Sequence, residues 1–471
     1  MLTKNPLFGK KLSVINTGSE HFYNGESDTE NIHVDWAPEA GGDEALVAAL
    51  DVLDNPVPST LTEKIAEANA RAVSLLDKAQ PVLCGVSRAG RCVPGINKTT
   101  FLHAGPPIKE FADMAQPLRD SVVGAILFEE LAANEAQALQ LAESGRLTFD
   151  SASDHRAVCE FAGVISSSMP MYVVENRTCG NFVYAPVGMG LRDNISLGKK
   201  DRRTLENVLY AEHSLFPVLE AVLADYGDIP LLPLIDKALF MGDDLSYSFA
   251  ASSMLFANAL APCIVAAPFS DSLKKELLQF IAGDERAFAN LALAAFKSAL
   301  DAVSGIKYCT LVTAIARNGR EGGIKISGLS DKWFTAPLAP PHSLQVGFDV
   351  GDTSLAECFG LGAYALPSAY ATAKAFGETL EKACRRSISS YEIFAGKSTR
   401  ITLPIDEFDG VPLGLDLRKI VKTNINPIYC ADWVSFDGTQ PVHAGELREL
   451  SFSCFADALR GCEEQWEIAE N

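Results

Sequence analysis

The sequence predicts a multidomain protein of mixed α/β and α+β class, with a Rossmann-like parallel sheet at its N-terminus, a helical middle domain and an α+β C-terminal domain. Three observations predict it. Strands alternate with helices over the first hundred residues, residues 201–303 carry a helical pattern, and the last third returns to strands broken by Gly-containing turns. The divisions fall at 1–112, 113–200, 201–303 and 304–471, since 471 residues exceed one ordinary domain.

In order along the chain, residues 12–15 read as a strand ending in Asn16-Thr17-Gly18, and residues 32–35 as a second ending at Trp36. After a turn over 38–42, Asp43 stands where a helix N-cap would, ahead of a helix over 44–53. A further helix over 62–79 leads through Pro81 into a strand over 82–86. This alternation suggests a small parallel, doubly wound sheet, whose ligands would lie beyond the carboxyl ends of its strands. Those ends carry Asn16-Thr17-Gly18, Asp35-Trp36 and the segment from Ser87 to Arg91. No GxGxxG or P-loop is present, so neither a dinucleotide nor a nucleoside triphosphate is expected as a cofactor.

Residues 113–145 read as two helices, followed by a strand over 171–174. The clearest helix of the middle region starts at Asp284 and places Phe288, Leu291, Ala295, Phe296 and Leu300 on one face. Beyond it, residues 308–317 and 324–327 flank the turn from Asn318 to Gly323 as a hairpin. A Gly/Ala-rich helical stretch follows Asp352, a second helix spans 371–390, and a terminal helix closes the chain.

Composition narrows the function. Hydrophobic residues make up 48% and charged residues 21%, the balance of a chain with sizeable cores. A net charge of −20 argues against a nucleic-acid surface, which needs clustered Lys and Arg. It also requires locally placed cations for any anionic substrate. The segment from Met1 to Lys11 lacks the apolar core of a signal peptide, and no apolar run is long enough for a membrane span. The 11 dispersed cysteines read as reduced thiols, so a cytoplasmic protein is expected. The histidines are isolated, and no metal is expected. Asp243-Asp244 suits either Mg²⁺ or the N-terminus of a helix. His103 and His155 read as satisfied loop histidines, and Ser166-Ser167-Ser168 lacks the Gly-x-Ser-x-Gly elbow of a serine hydrolase.

Three polar constellations could carry chemistry. Glu175-Asn176-Arg177, with Asn181 shortly after, could grip a planar polar ligand, because Arg offers a fork of donors and Asn both a donor and an acceptor. The same residues suit an Asx turn with a local ion pair. Arg317-Asn318-Gly319 sits at the hairpin turn, where it either meets a ligand or simply makes an Asn-Gly turn. Asp352-Thr353-Ser354 precedes a helix start, where Ser354-x-x-Glu357 fits a capping box, while Asp352 is free of that role.

In this order the segments resemble the YlbE/YahG family, also called AllG, over nearly the whole chain. The matching residues include His33-Val34-Asp35-Trp36, the run from Leu102 to Ile108, and Val174-Glu175-Asn176-Arg177-Thr178. Ala316-Arg317-Asn318-Gly319, Gly351-Asp352 and the run from Gly410 to Lys419 continue the match. The resemblance implies a partner similar to FdrA, itself similar to succinyl-CoA ligase subunits, in a hetero-complex or homo-oligomer. It also implies the chemistry of oxamate carbamoyltransferase in anaerobic purine and allantoin breakdown: oxalurate and phosphate interconverting with oxamate and carbamoyl phosphate. On this reading Arg317, Asn318 and Glu175 are catalytic, and Asn176, Arg177, Asn181, Asp352 and Ser354 bind substrate. Three segments depart from the family pattern. After Asp243 the family carries a Glu, then a His and an Arg-Asn pair, where this chain reads Asp244 to Phe249; near Gly283 it carries Asn-Asp-His, where this chain has Asp284-Glu285-Arg286. Near the C-terminus, the segment from Tyr429 to Trp433 replaces a glycine-rich stretch. A non-catalytic paralogue serving as an interaction or regulatory subunit, or a binder of small carboxylates, is the alternative that these departures raise.

Overall fold

The computed structural model describes residues 13–17, 30–34, 39–55, 59–187, 194–339, 348–403, 409–434 and 441–470. Gly18, Asp35 and Trp36, expected at strand ends, lie outside the described residues. In chain order the first strands are β1 (Ser13–Thr17), β2 (Glu30–Val34), β3 (Pro81–Arg88), β4 (Thr100–His103), β5 (Thr148–Ser151) and β6 (Val164–Ile165). Next come β7 (Pro170–Asn176), β8 (Asn181–Pro186), β9 (Ile229–Pro230), β10 (Val312–Asn318), β11 (Glu321–Ile326) and β12 (Phe334–Pro337). The last are β13 (Phe348–Gly351), β14 (Phe394–Thr402), β15 (Gly410–Leu415), β16 (Ile428–Val434) and β17 (Pro441–Glu449).

Among the described residues these strands form a six-stranded sheet of order β12-β11-β10-β13-β16-β17 and a four-stranded sheet of order β8-β7-β3-β9. A three-stranded sheet, β5-β4-β6, and two strand pairs, β1-β2 and β14-β15, complete the set. The chain is therefore mixed α/β, but the described residues of 1–112 do not form the expected single Rossmann-like sheet. β1 and β2 do pair in parallel, whereas β3 joins an antiparallel sheet, with Val82 opposite Glu175 of β7. The parallel crossover lies one segment later: β4 pairs in parallel with β5 after the helices Gln116–Phe128 and Glu135–Ala142.

Locally encoded elements form as their residues dictate. Asp43 caps the helix Glu44–Leu53 by accepting from the Ala45 and Leu46 amides at 2.9 and 3.2 Å. The helix expected over 371–390 is two, Tyr370–Ala375 and Leu380–Ser389, with Gly377 at φ +73 between them. The helix Ala289–Ala302 begins later than expected, since Asp284 accepts from the Arg286 amide at 2.9 Å one turn earlier. It is buried from Ala289 to Leu300 on every side, not on one face. Its three buried polar side chains are therefore conspicuous: Asn290, Lys297 and Ser298.

The largest buried cluster gathers residues from Ala40 to Trp466, crossing the expected boundaries at 112, 200 and 303. Stacking of Phe296 on Phe359, with ring centroids 5.2 Å apart, ties the buried helix to the C-terminal segment. No described helix is long and apolar enough to cross a membrane.

Candidate functional site

The hairpin of β10 and β11 forms as the sequence indicates. Arg317 pairs with Gly322, and Asn318 Oδ1 accepts from the Arg320 and Glu321 amides at 3.0 and 2.8 Å. Arg317, however, is fully buried and committed to the protein. Its Nε donates to Asp349 Oδ1 at 2.9 Å, Nη1 to Ser354 Oγ at 2.6 Å and Nη2 to Thr353 Oγ1 at 3.0 Å, while Tyr429 lies beneath it with the ring centroid 4.8 Å from Cζ. Burial alone would lower the pKa of this guanidinium, but Asp349 beside it outweighs that and holds it charged. Ser354 thus accepts from Arg317 and makes no capping bond. The expected capping box is not formed, because Glu357 turns inward to accept from the Cys430 and Ala363 amides at 3.0 and 3.1 Å.

Asp352 joins two distant loops. Its Oδ1 accepts from the Gly105 amide and its Oδ2 from the Cys159 amide, each at 2.9 Å. Asn318 Nδ2 donates to Pro106 O at 3.2 Å in the same junction. Gly105 is required there: at φ +83, a Cβ would lie 2.4 Å from Arg317 O. His103 completes this loop, its Nδ1 2.8 Å from Ala104 O and its Nε2 accepting from the Ile108 amide at 3.0 Å; burial lowers its pKa and keeps it neutral.

The structure thus brings Arg317, Asn318, Asp352 and Ser354 together in a buried junction, not a cleft. Glu175 and Arg177 lie apart at the surface turn between β7 and β8, paired at 3.0 Å, with Arg177 also reaching Asp228 at 2.6 Å. Asn176 is fully buried and builds that turn: its Oδ1 accepts from the Gln80 and Thr178 amides and its Nδ2 donates to Ser298 O at 3.2 Å. Asn181 Nδ2 donates to the same carbonyl at 2.9 Å. No cleft holds Arg177, Arg317 and Asp352 together, since two of them are buried and the third is on the surface.

The cavity lies on the far side of the loop that Asp352 pins. Residues 159–163 run between Cys159, held by Asp352, and Gly163, whose carbonyl accepts from the Ala104 amide at 3.1 Å. Within it Phe161 adopts φ +51, a left-handed conformation that costs a bulky residue about 1–3 kcal/mol. A cavity of about 780 Å³, including its mouth, opens against this loop and is lined by Glu160, Phe161, Met169, Asp284, Arg286 and Asn290 among others. Arg286 is its centre. The guanidinium pairs with Glu160, donates from Nη1 to Tyr247 O at 2.9 Å, and stacks on Phe161 and Phe249 with centroids at 4.7 and 4.8 Å. Burial pushes the Asp284 carboxyl up, against the pull of the nearby Arg286. Asn290 donates to Pro186 O at 3.1 Å, and its buried Oδ1 accepts nothing from the described residues. Cys159 also lines the cavity, but burial, reinforced by Asp352, holds its thiol protonated. Among the described residues no group of three His, Cys, Asp or Glu could hold a metal ion. Asp243 and Asp244 are occupied by the protein: Asp243 accepts from the Ser252 amide at 2.8 Å and Asp244 from the Ser246 amide at 2.8 Å.

The sequence motifs passed over Glu160, Phe161 and Asn290, which stand alone in apolar runs. One signal did point here. Two of the three segments that depart from the family pattern, 244–249 and 284–286, meet where Tyr247 and Phe249 contact Arg286, which lines this cavity.

Two relatives from Escherichia coli (strain K12) match nearly their full length. The uncharacterized protein YahG is 33% identical over 475 residues, covering 98% of this chain and 99% of the relative. Oxamate carbamoyltransferase subunit AllG is 34% identical over 416 residues, covering 86% of this chain and 99% of the relative. The chain belongs to the YahG/AllG family. The family model described as oxamate carbamoyltransferase subunit AllG matches residues 147–356, which contain the pinned loop, Arg286 and Asp352. A solved YahG/AllG-like fold agrees: the crystal structure of a conserved protein of unknown function from Enterococcus faecalis V583 is 31% identical, with a TM-score of 0.82, over 86% of this chain and 99% of that one.

The pinning by Asp352 has a measurable consequence. Asp352→Asn keeps one acceptor and turns an amide group towards the other N–H, so one of the two loop amides loses its partner. A loss of about 1–3 kcal/mol is expected in urea unfolding. Unchanged stability would show that water replaces the carboxylate.

Proposed function

We propose that this chain is a subunit of a carbamoyltransferase-type complex that works in the cytoplasm with an FdrA-like partner on oxamate, oxalurate and carbamoyl phosphate. The observation that carries this reading is the 34% identity to AllG along 99% of that subunit. The cavity supplies chemistry of the right kind. Arg286, fixed by Glu160 and two rings, presents a positive charge to a carboxylate in an apolar surround. Asn290 Oδ1 offers an acceptor for a carbamoyl N–H. In the forward direction a phosphate oxygen bonds to the carbamoyl carbon of oxalurate, the bond from that carbon to the oxamate nitrogen breaks, and the nitrogen takes up a proton. Asp284 lines the same cavity, and burial raises its carboxyl against the pull of Arg286. Arg317, Asn318, Asp352 and Ser354 act on this reading as positioning residues behind the loop.

A second reading, a non-catalytic paralogue that serves as an interaction or regulatory subunit, is favoured by one observation. Arg286 and Phe249 occupy each other at the place where the family pattern carries other residues. The test mixes purified protein, with and without the FdrA-like partner, with oxalurate and phosphate and follows carbamoyl phosphate. Product that falls about a hundredfold or more with Arg286→Ala supports the enzyme reading (about 2.7 kcal/mol of barrier). No product in any combination rejects it.

A further inference from the structure

The helix Ala289–Ala302 and strand β8 run side by side in opposite directions, bonded at both ends. Asn290 reaches Pro186 O at the end of β8, and Asn181 at its start reaches Ser298 O. Asn290 lines the Arg286 cavity; Lys297, two turns along the same face and about 10 Å away at 1.5 Å per residue, lines a second. This second cavity, about 760 Å³ with its mouth, is walled by Asp154, Arg156, Asn181, Lys297, Asp301 and Lys325 among others.

Its donors outnumber its acceptors. Lys297, 3% exposed, spends two of its three N–H groups, on Asp301 at 2.8 Å and Ser153 Oγ at 3.1 Å. Lys325 pairs with Asp154 at 2.6 Å, and Asp154 also accepts from Trp333 Nε1 at 3.1 Å. Both carboxylates are therefore neutralised within the wall. Arg156 is exposed at the mouth, at φ +57, and makes no ion pair among the described residues. An acceptor faces this surplus: the buried Oδ1 of Asn181, to which nothing among the described residues donates.

We propose that this cavity binds a small oxyanion that also carries an N–H or O–H donor. Arg156, Lys297 and Lys325 hold the oxygens, and Asn181 Oδ1 takes the donor. Hydrogen phosphate (through its O–H) and an amide-bearing carboxylate (through its N–H) share this chemistry. The site does not depend on the reading of the Arg286 cavity.

The test is calorimetric titration of the full chain with inorganic phosphate and, separately, with oxamate. Binding of either that Arg156→Asn and Lys325→Met weaken supports the site, and the anion so affected names the source. Arg156→Asn, which tolerates the left-handed backbone, is expected to weaken that binding about tenfold, as is Lys325→Met. Arg202→Gln, on an exposed helix, leaves the affinity as it was. Circular dichroism checks that each variant folds. Binding by neither anion overturns the proposal, as does binding that both Arg156→Asn and Lys325→Met leave intact.

Discussion

Arg317→Ala is expected to destabilise the chain by about 3–5 kcal/mol, the cost of breaking a buried ion pair from one side. The guanidinium is 0% exposed, and the substitution leaves Asp349 uncompensated except for Tyr429 OH at 2.8 Å and Arg448 at 3.3 Å. It also strips the hydroxyls of Thr353 and Ser354 of their donor. Because β10 pairs with β13 at Arg317 and Gly351, the damage reaches the strand that delivers Asp352. Removing both charges together, as Arg317→Met with Asp349→Leu, should cost less than the sum of the single changes, since neither member of the pair is left buried without the other and Arg448 keeps Glu446 at 3.5 Å. The shift in urea midpoint measures this. If Arg317→Ala unfolds within about 1 kcal/mol of the parent chain and loses only ligand affinity, the guanidinium faces a ligand and the junction is not structural.

What the sequence revealed here was the chemistry of the junction, not its direction. Asn318 was legible as a turn residue because its partners are two and three positions away. Asp43 was legible as a cap for the same reason. Asp352, by contrast, bonds to amides 247 and 193 positions away, and no local pattern separates that use from a ligand site. Ser354-x-x-Glu357 matched a capping box, but its two members face partners on other strands and loops. The N-terminal sheet was misjudged likewise: alternating strands and helices do not say that β3 will be claimed by β7, about ninety residues on. Asn290 and Lys297 were hidden by the reverse problem. They sit in an apolar helix whose every face is buried, and single polar residues there interrupt no period. Their significance comes only from packing, which sets Asn290 against Pro186 at the end of β8 and Lys297 in the wall of the second cavity.

Glu357 gives the second large effect, and one that depends on pH. Burial pushes its carboxyl up to about 7, against 4.5 for an ordinary glutamate, despite the amides of Cys430 and Ala363 and the Ser246 hydroxyl at 3.2 Å. Between those two values the unfolded chain has released this proton and the folded chain keeps it. Its contribution to stability is therefore full below about pH 4.5, falls as pH rises towards 7, and is lost above. Glu357→Gln keeps the acceptor for both amides and does not titrate. The variant should match the parent chain near pH 4 and exceed it at pH 8 by on the order of 3 kcal/mol. Urea unfolding of both chains across this range isolates Glu357, because the other titrating groups cancel in the difference. A gap that stays constant with pH, or that favours the parent chain at pH 8, would mean that the carboxyl ionises normally where it lies. Ser246, which Glu357 holds, belongs to the same short segment as Tyr247 and Phe249, which cradle Arg286. The variant preserves the shape of that cradle, so a stabilised chain with unchanged ligand affinity would separate the role of Glu357 in the fold from the chemistry of the cavity beside it.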